Sequence, residues 1–155
     1  MFQKDLFKDK IALVTGGGSG IGYSIAEQLL DLGASVWIAG RKEDALQAAR
    51  KALSEKGPCR YTVCDIRNRD EVEALAGDLQ AEHDRLDILI NNAGGQFPAR
   101  AEDISENGWN AVINTNLNGT WNVTQIMAKT FFIPRREGSI VNIIANIYRG
   151  FPGMA

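Results

Sequence analysis

A glycine-rich segment near the start of the chain constrains the fold more than any other feature. It follows Ile11-Ala12-Leu13-Val14, a continuous apolar run typical of a strand buried on both faces. Apolar residues then recur every four positions from Ile21 to Leu29, which predicts a helix that ends at Gly33. A strand, a glycine turn and a helix in this order predict a phosphate cradle, built from backbone N–H groups and the positive helix end. The segment reads Thr15-Gly16-Gly17-Gly18-Ser19-Gly20-Ile21-Gly22.

The rest of the chain repeats the alternation of strand and helix. Short apolar runs predict further strands over residues 35–39, 61–64, 88–90 and 139–144. Of the helices between them, one ends at Gly57-Pro58, one is capped by Asn68 or Asp70, and a long one starts at Ser105. This alternation predicts an α/β fold, a doubly wound, Rossmann-type parallel sheet of about five strands, with residues 1–155 as one dinucleotide-binding domain.

The long helix is predicted to run to about residue 132, where Pro134 and Gly138 stop it. Its apolar face is expected to consist of Ile113, Leu117, Thr120, Thr124 and Phe131. A polar arc recurs every four residues and is interpreted as a solvated face; it consists of Asn110, Asn114, Asn118 and Asn122. Asn116 falls away from that arc, at the border of the apolar face, where a polar side chain needs a partner.

The charge balance argues against nucleic acid or an anionic membrane as the main partner. Lys and Arg number 17 against 19 Asp and Glu, a net charge of −2, whereas those partners select basic surfaces. No apolar run approaches the ~18 residues of a membrane span, and the charged start of the chain does not resemble a signal peptide. We therefore expect a soluble, cytoplasmic protein.

The two cysteines are expected to be reduced, buried thiols. Cys59 and Cys64 lie five residues apart in or beside one strand, so their side chains point to opposite faces and cannot easily pair. Together with His83, the one histidine, they fall short of any zinc pattern, and no metal site is predicted.

Two motifs together resemble the short-chain dehydrogenase/reductase family. The glycines are spaced Gly16-x-x-x-Gly20-x-Gly22, and Asn91-Asn92-Ala93-Gly94 follows the fourth predicted strand. The resemblance runs the whole length of the chain and implies an oxidoreductase with a nicotinamide cofactor. It implies that the pyrophosphate lies on the first motif and the nicotinamide-side ribose near the second. The residues assigned these contacts are Gly16, Ser19, Gly20, Ile21, Gly22, Asn92, Ala93 and Gly94.

The end of the second strand favours NADP(H) over NAD(H). An acid there would bind the ribose 2′-OH, but this chain has Arg41 and Lys42, which suit a 2′-phosphate. The alternative is that both cations merely cap an exposed turn. By the resemblance, Asp65 matches the position that bonds the adenine amino group, and Ile66 flanks the ring.

The resemblance also assigns a catalytic role to Asn116, in Asn116-Leu117-Asn118-Gly119, as the residue that holds a water of the proton relay. The family serine falls on Ala145, which has no hydroxyl, and Ser139 is too early to replace it. No Tyr-x-x-x-Lys occurs in the 155 residues, since Tyr148 is followed by Pro152. We therefore expect the chain to be truncated relative to the full family fold and inactive on its own.

The segment after residue 142 resembles one branch of the family. Ile143-Ile144 followed by residues 149–153 is similar to peroxisomal-type trans-2-enoyl-CoA and 2,4-dienoyl-CoA reductases, which implies an acyl-CoA substrate. A carbonyl or 3-oxoacyl reductase and a catalytically silent nucleotide-binding fragment remain alternatives. The C-terminal residues are not a peroxisomal address. We expect the full-length form to be a homo-oligomer, and the apolar fifth strand to promote association.

Overall fold

Consecutive apolar residues form the strands of one parallel sheet in the computed structural model, which describes residues 2–145. The strands lie in the order β3-β2-β1-β4-β5. The chain thus moves outward from β1 to β3 and then returns to the other side of β1, so a crevice opens above the carboxyl ends of β1 and β4. The Rossmann-type α/β prediction is confirmed. The strands are β1 (Ile11–Thr15), β2 (Ser35–Gly40), β3 (Cys59–Val63), β4 (Ile88–Asn91) and β5 (Ser139–Asn142).

Helices cover both faces of the sheet. One face carries α1 (Gly20–Asp31) and α2 (Glu43–Leu53), and the other carries α3 (Arg69–Glu82) and the long helix. Of the two predicted caps for α3, Asn68 fills the role: its side chain accepts from the Asp70 N–H at 3.1 Å. The chain enters the long helix at Ser105, whose hydroxyl accepts from the Gly108 N–H at 3.1 Å, as predicted.

Successive residues of each strand point to opposite faces of the sheet and pack into two separate core layers. Leu13 and Leu89 pack against α3 and the long helix, whereas Val14 and Ile90 pack against α1 and α2. This two-sided burial explains why the strands are apolar without alternation. The two cysteines divide in the same way: Cys59 lies in the layer of Val14 and Cys64 in the layer of Leu13. Both are free and buried, which confirms the prediction.

The long helix differs from its prediction because two π-helical stretches interrupt it. It consists of α4 (Glu106–Ile113), α5 (Thr120–Met127) and α6 (Ile133–Arg135), joined by Asn114–Gly119 and Ala128–Phe132. Each wide turn shifts the 3.6-residue period, so the buried face agrees with the predicted one at Phe131 and differs elsewhere. The buried side chains of the long helix are Val123, Ile126, Met127, Phe131 and Phe132.

Two features of the predicted helix are therefore wrong. Leu117, expected in the apolar face, is 62% exposed. Pro134 does not stop the helix but lies in the first turn of α6, where its missing N–H is tolerated. The chain leaves the helix at Arg136, which adopts a left-handed φ of 54°.

Strand ends differ from prediction by about two residues. β3 begins at Cys59, ahead of the predicted start, because the chain already pairs with Val36 there. β5 ends at Asn142, although the Ile143 N–H still donates to the Asn91 carbonyl at 2.9 Å. Tyr148 and the segment 149–153 lie outside the described residues. Within residues 2–145, the helices all fall short of the length and apolar character that a bilayer span requires.

A buried carboxylate ties together the amino end of the sheet. Asp87, just before β4, accepts the Ile11 N–H at 2.9 Å. Lys10 Nζ lies 3.4 Å from one of its oxygens, Arg85 Nε 3.2 Å from the other, and Arg135 Nη1 3.9 Å from the first. The negative charge is buried, so it requires these partners. Groups of the chain itself therefore neutralise the Asp87 charge at this end of the sheet.

Candidate nucleotide-binding cleft

A cleft of about 350 Å³ opens at the carboxyl ends of the strands, where the strand order reverses. It brings most of the predicted cofactor residues together. Gly20, Ile21 and Gly22 belong to the loop and the first turn of α1 rather than to the cleft wall, and Ile21 is 65% exposed. The predicted residues that line the cleft are Gly16, Ser19, Arg41, Lys42, Asp65, Ile66, Asn92, Ala93 and Gly94.

The glycine loop lies too close to its neighbours for side chains. A Cβ at Gly22 would lie 2.4 Å from both Asn92 Nδ2 and the Gly16 carbonyl oxygen. Gly16 itself has a φ of +67°, a left-handed conformation that L side chains rarely adopt. The first helical bond of α1 runs from the Tyr23 N–H to the Ser19 carbonyl at 3.2 Å.

The N–H groups that precede that bond are unpaired within the described chain. Those of residues 17–22 donate to no group of residues 2–145. The Ser19 hydroxyl does not cap the helix either. Unpaired amides at a helix N-terminus are suited to bind an anion, as the glycine pattern predicts.

Thr15 holds the glycine loop against the segment after β4. Its hydroxyl accepts the Asn92 and Ala93 N–H groups, each at 3.0 Å, and donates to the Ile90 carbonyl at 3.4 Å. In return, Asn92 Nδ2 donates to the Thr15 carbonyl at 3.0 Å and to that of Gly16 at 3.4 Å. Asn92 thus has a structural role in the floor of the cleft, in addition to its predicted contact with the cofactor.

Asn91, the last residue of β4, connects this strand to β5 and to α5. Its Nδ2 donates to Thr124 Oγ1 on α5 and to Asn142 Oδ1 on β5, both at 2.8 Å. Its side chain is buried, and within residues 2–145 its Oδ1 has no partner. Asn91 therefore joins β4, β5 and α5 at the carboxyl end of the sheet.

Two cations, Arg41 and Lys42, follow the end of β2. Arg41 and Lys42 are exposed and line the cleft. Neither side chain hydrogen-bonds or forms an ion pair with any of residues 2–145. The alternative that they cap a turn finds no supporting contact, since α2 begins without a side-chain cap from Lys42.

Asp65 is held from two sides at the end of β3. The Glu71 carboxylate accepts its N–H at 2.7 Å, which fixes the backbone. The Arg67 Nε lies 2.9 and 3.0 Å from the two carboxylate oxygens, and the Arg67 N–H donates to Oδ1 at 3.0 Å. The hydrogen bond from Arg67 lowers the pKa of Asp65 below its ordinary value, and Arg41 lowers it further. Asp65 is therefore a stable anion within the cleft wall.

Asn116 finds its partner in the backbone of the loop after β4. Its Oδ1 accepts the Gly95 N–H at 2.9 Å, and its Nδ2 donates to the Gly95 carbonyl at 2.8 Å. Its predicted role in holding a water stays a prediction. The polar arc is only partly a solvated face, because Asn122 Nδ2 donates to the Ile66 carbonyl at 3.1 Å and anchors the loop after β3.

Several residues of the cleft were not predicted. Thr15 could have been suspected, because a hydroxyl at the end of an apolar strand needs a partner. Arg67 is two residues from Asp65, but the sequence alone does not show that their side chains meet. Thr115 enters the cleft wall from a π-helical stretch that the sequence did not reveal.

The position assigned to the family serine, Ala145, carries no hydroxyl, and that assignment stays a prediction. Ser139 pairs with Ile88 at the amino end of β5, the end opposite the cleft. Ala145 follows the other end of that strand and is exposed.

Comparisons with known proteins agree with this geometry. The family model described as short chain dehydrogenase matches residues 10–153. The 3-oxoacyl-(acyl-carrier-protein) reductase FabG of Chlamydia trachomatis is 38% identical over 151 residues, 96% of this chain and 60% of that protein. A peroxisomal 2,4-dienoyl-CoA reductase of Danio rerio is 39% identical over 153 residues, 97% of this chain and 51% of that protein.

A solved structure shows the same likeness. The citronellol catabolism dehydrogenase AtuB of Pseudomonas aeruginosa PAO1 has a TM-score of 0.92 and 36% sequence identity, and the match covers 99% of this chain and 63% of that one. The chain spans between about half and three-fifths of the length of the curated relatives that it matches, 51% and 60% in these two cases.

Proposed function

The chain belongs to the short-chain dehydrogenase family of oxidoreductases, which bind nicotinamide cofactors. We propose that its cleft binds NADP(H) and takes part in reducing the acyl chain of an acyl thioester. One observation carries the cofactor choice. Arg41 and Lys42 follow β2 directly, line the cleft and have no partner among residues 2–145. A planar guanidinium can pair with a 2′-phosphate through two hydrogen bonds, whereas NADH offers only a hydroxyl there.

The residues of the cleft fit a dinucleotide. Gly16, Gly18 and Ser19 line the cleft, so the loop backbone lies at the cleft. Its unpaired N–H groups would bind the pyrophosphate, Arg41 the 2′-phosphate, and Asp65 the adenine amino group. Ala93 and Gly94 would border the nicotinamide-side ribose.

The chain's own residues then bind and orient rather than react. When bound, the nicotinamide supplies or accepts the hydride. Thr15 and Asn92 fix the two walls of the cleft relative to one another, and Asn116 fixes the loop at Gly95. In the proposed role, Asn116 also holds a water from which a proton reaches the substrate.

Fluorescence titration of the chain with NADPH and NADH tests the cofactor proposal. We expect NADPH to bind at least about tenfold more tightly, because one charge-assisted bidentate pair is added at Arg41. Equal or tighter binding of NADH contradicts it.

The proposed substrate is an enoyl- or dienoyl-CoA. Ala145 stands where a carbonyl-reducing relative is expected to carry a serine. The serine hydroxyl that would assist proton donation to a carbonyl oxygen is therefore missing at this position. Reduction of a conjugated carbon–carbon double bond develops charge at the thioester oxygen instead, where hydrogen-bond donors would be needed. The second candidate is a 3-oxoacyl reductase, favoured by the match to FabG.

NADPH oxidation measured with a 2,4-dienoyl-CoA and with a 3-oxoacyl-CoA separates the two candidates. The assay uses the 155-residue chain and, in parallel, the longest reading frame that contains it. We expect the chain itself to bind NADPH without turnover, because it contains no Tyr-x-x-x-Lys. Turnover in the longer frame with the 3-oxoacyl-CoA alone assigns the second candidate, and turnover by the chain itself contradicts the expected inactivity.

We also propose that β5 promotes self-association. It is an edge strand next to β4, and its apolar side chains are open to solvent: Ile140 is 40% and Val141 45% exposed. Exposed apolar edges template pairing with other chains. Light scattering of the chain should show assemblies larger than a monomer, and Val141→Lys should reduce them. A monomer at high concentration contradicts this proposal.

A further inference from the structure

The Asp65 carboxylate lies in a cleft proposed to bind a 2′-phosphate, so its charge matters. An exposed carboxylate there would repel the phosphate. Arg67 counters this charge, since its Nε lies 2.9 and 3.0 Å from the two carboxylate oxygens and its backbone N–H donates to Oδ1 at 3.0 Å. The Asp65 side chain is 23% exposed and that of Arg67 41%, so the ion pair is half-buried in the cleft wall.

Neutralisation of Asp65 affects the charge that the neighbouring cations can offer to a ligand. Arg41 is close enough to act on the Asp65 carboxylate electrostatically, and the two line the same cleft. Without Arg67, Asp65 would draw Arg41 towards itself and cancel part of its charge. With Arg67 in place, Arg41 and Lys42 keep a net positive charge for a ligand.

We propose that Arg67 is a specificity-determining residue, which neutralises Asp65 so that Arg41 and Lys42 discriminate in favour of the nucleotide with a 2′-phosphate. This inference rests on the proposed function and deepens it. Arg67 acts through Asp65 and need not touch the phosphate itself. Its removal should therefore change the preference between the two cofactors more than the affinity for both.

Two other possible roles for Arg67 predict different changes in cofactor affinity. If Arg67 mainly occupies the oxygens that the adenine amino group would use, its removal should tighten the binding of NADPH and NADH equally. If Arg67 only orders the loop after β3, its removal should weaken both equally. The ratio of the two affinities thus separates the three roles.

The experiment measures NADPH and NADH binding by fluorescence titration for wild type, Arg67→Gln, Asp65→Asn and the double variant. We expect Arg67→Gln to weaken NADPH binding about tenfold and NADH binding less than about twofold. Without Arg67, the Asp65 carboxylate is no longer neutralised, and its charge opposes binding of the 2′-phosphate. Adding Asp65→Asn should restore the NADPH preference, since the amide is neutral and its oxygen still accepts a hydrogen bond. Arg60→Gln is the matched control, because it breaks the 2.8 Å Arg60–Glu82 ion pair at the opposite end of β3.

The outcomes separate the inference from the function on which it rests. Equal changes for NADPH and NADH in Arg67→Gln, or no recovery in the double variant, overturn the inference while the proposed function stands. Failure of wild type to bind either nucleotide overturns both. If Arg67→Gln does not fold, Arg67→Lys gives the test: it keeps the charge and should keep most of the NADPH preference.

Discussion

The two ends of the sheet treat their charges in opposite ways. At the amino end, Asp87 is buried and its charge is met by the Ile11 N–H and by cations from three parts of the chain. At the carboxyl end, Arg41 and Lys42 point into a cleft and contact no partner among residues 2–145. The fold thus pairs the buried charge at one end with its own groups and leaves two cations at the other end without such pairs among the described residues. Charge at the first end should govern stability, and charge at the second should govern binding.

The largest expected effect lies at the amino end. Asp87→Ala removes the acceptor of the half-buried Ile11 N–H and the partner of three cations, so we expect a loss of about 3 kcal/mol in the free energy of unfolding. Urea denaturation measures this loss. Glu137→Ala is the control: Glu137 pairs with Lys10 and Arg135 but is 57% exposed, so its loss should cost less than about 0.5 kcal/mol.

The comparison breaks if Asp87→Ala leaves stability unchanged, or if the folded variant binds NADPH much more weakly than wild type. Both results would mean that the two ends are not separate in function.

The next effect lies in the glycine loop. Gly22→Ala places a Cβ 2.4 Å from the Gly16 carbonyl oxygen, so the loop must move and we expect NADPH affinity to fall about thirtyfold. Gly77→Ala, where a Cβ meets nothing within 4 Å, is the control and should leave binding unchanged. Titration of both variants with NADPH checks this, and equal affinities would show that the loop is not the cradle.

A smaller effect is expected for single cations. Arg41→Ala should weaken NADPH binding about tenfold and leave the free energy of unfolding within about 0.5 kcal/mol of wild type, because the Arg41 side chain is exposed and forms no hydrogen bond or ion pair with residues 2–145. Arg50→Ala, an exposed arginine of α2 away from the cleft, should change neither quantity. A larger loss of stability in Arg41→Ala than in Arg50→Ala would contradict the division of roles.

The smallest expected effect concerns the pH dependence of stability and comes from two buried thiols, one near each end of β3. Burial raises the pKa of Cys59 to about 11 and that of Cys64 to about 12, and Glu71 and Asp65 add to the shift of Cys64. Because the folded-state pKa is raised, the thiols favour folding below pH 9, and this stability is lost as the pH rises towards the folded values. Between pH 8 and pH 9 we expect each thiol to cost about 0.3 kcal/mol in the free energy of unfolding.

Urea midpoints at the two pH values measure that cost. The Cys59→Ala, Cys64→Ala double variant should show a flatter pH dependence than wild type. An equal slope would show that the thiols ionise alike in the folded and unfolded states.

Much of this organisation could be predicted from residue patterns, and the failures have physical causes. Continuous apolar runs predicted the strands because both sheet faces are covered, and Asn68 and Ser105 predicted helix starts because their side chains cap amides. The long helix was mispredicted at Leu117 because π-helical turns shift a period that the sequence shows as regular. The pairing of Arg67 with Asp65 depends on a rotamer choice between neighbours, which no local pattern encodes.

Thr15 gives the cleft a dynamic property. Its single hydroxyl receives the amides of both Asn92 and Ala93, while Asn92 returns a bond to the backbone at Thr15. The glycine loop and the segment after β4 therefore cannot open independently, since separation breaks all three bonds at once. Amide hydrogen exchange at residues 92 and 93 should report one shared opening event rather than two.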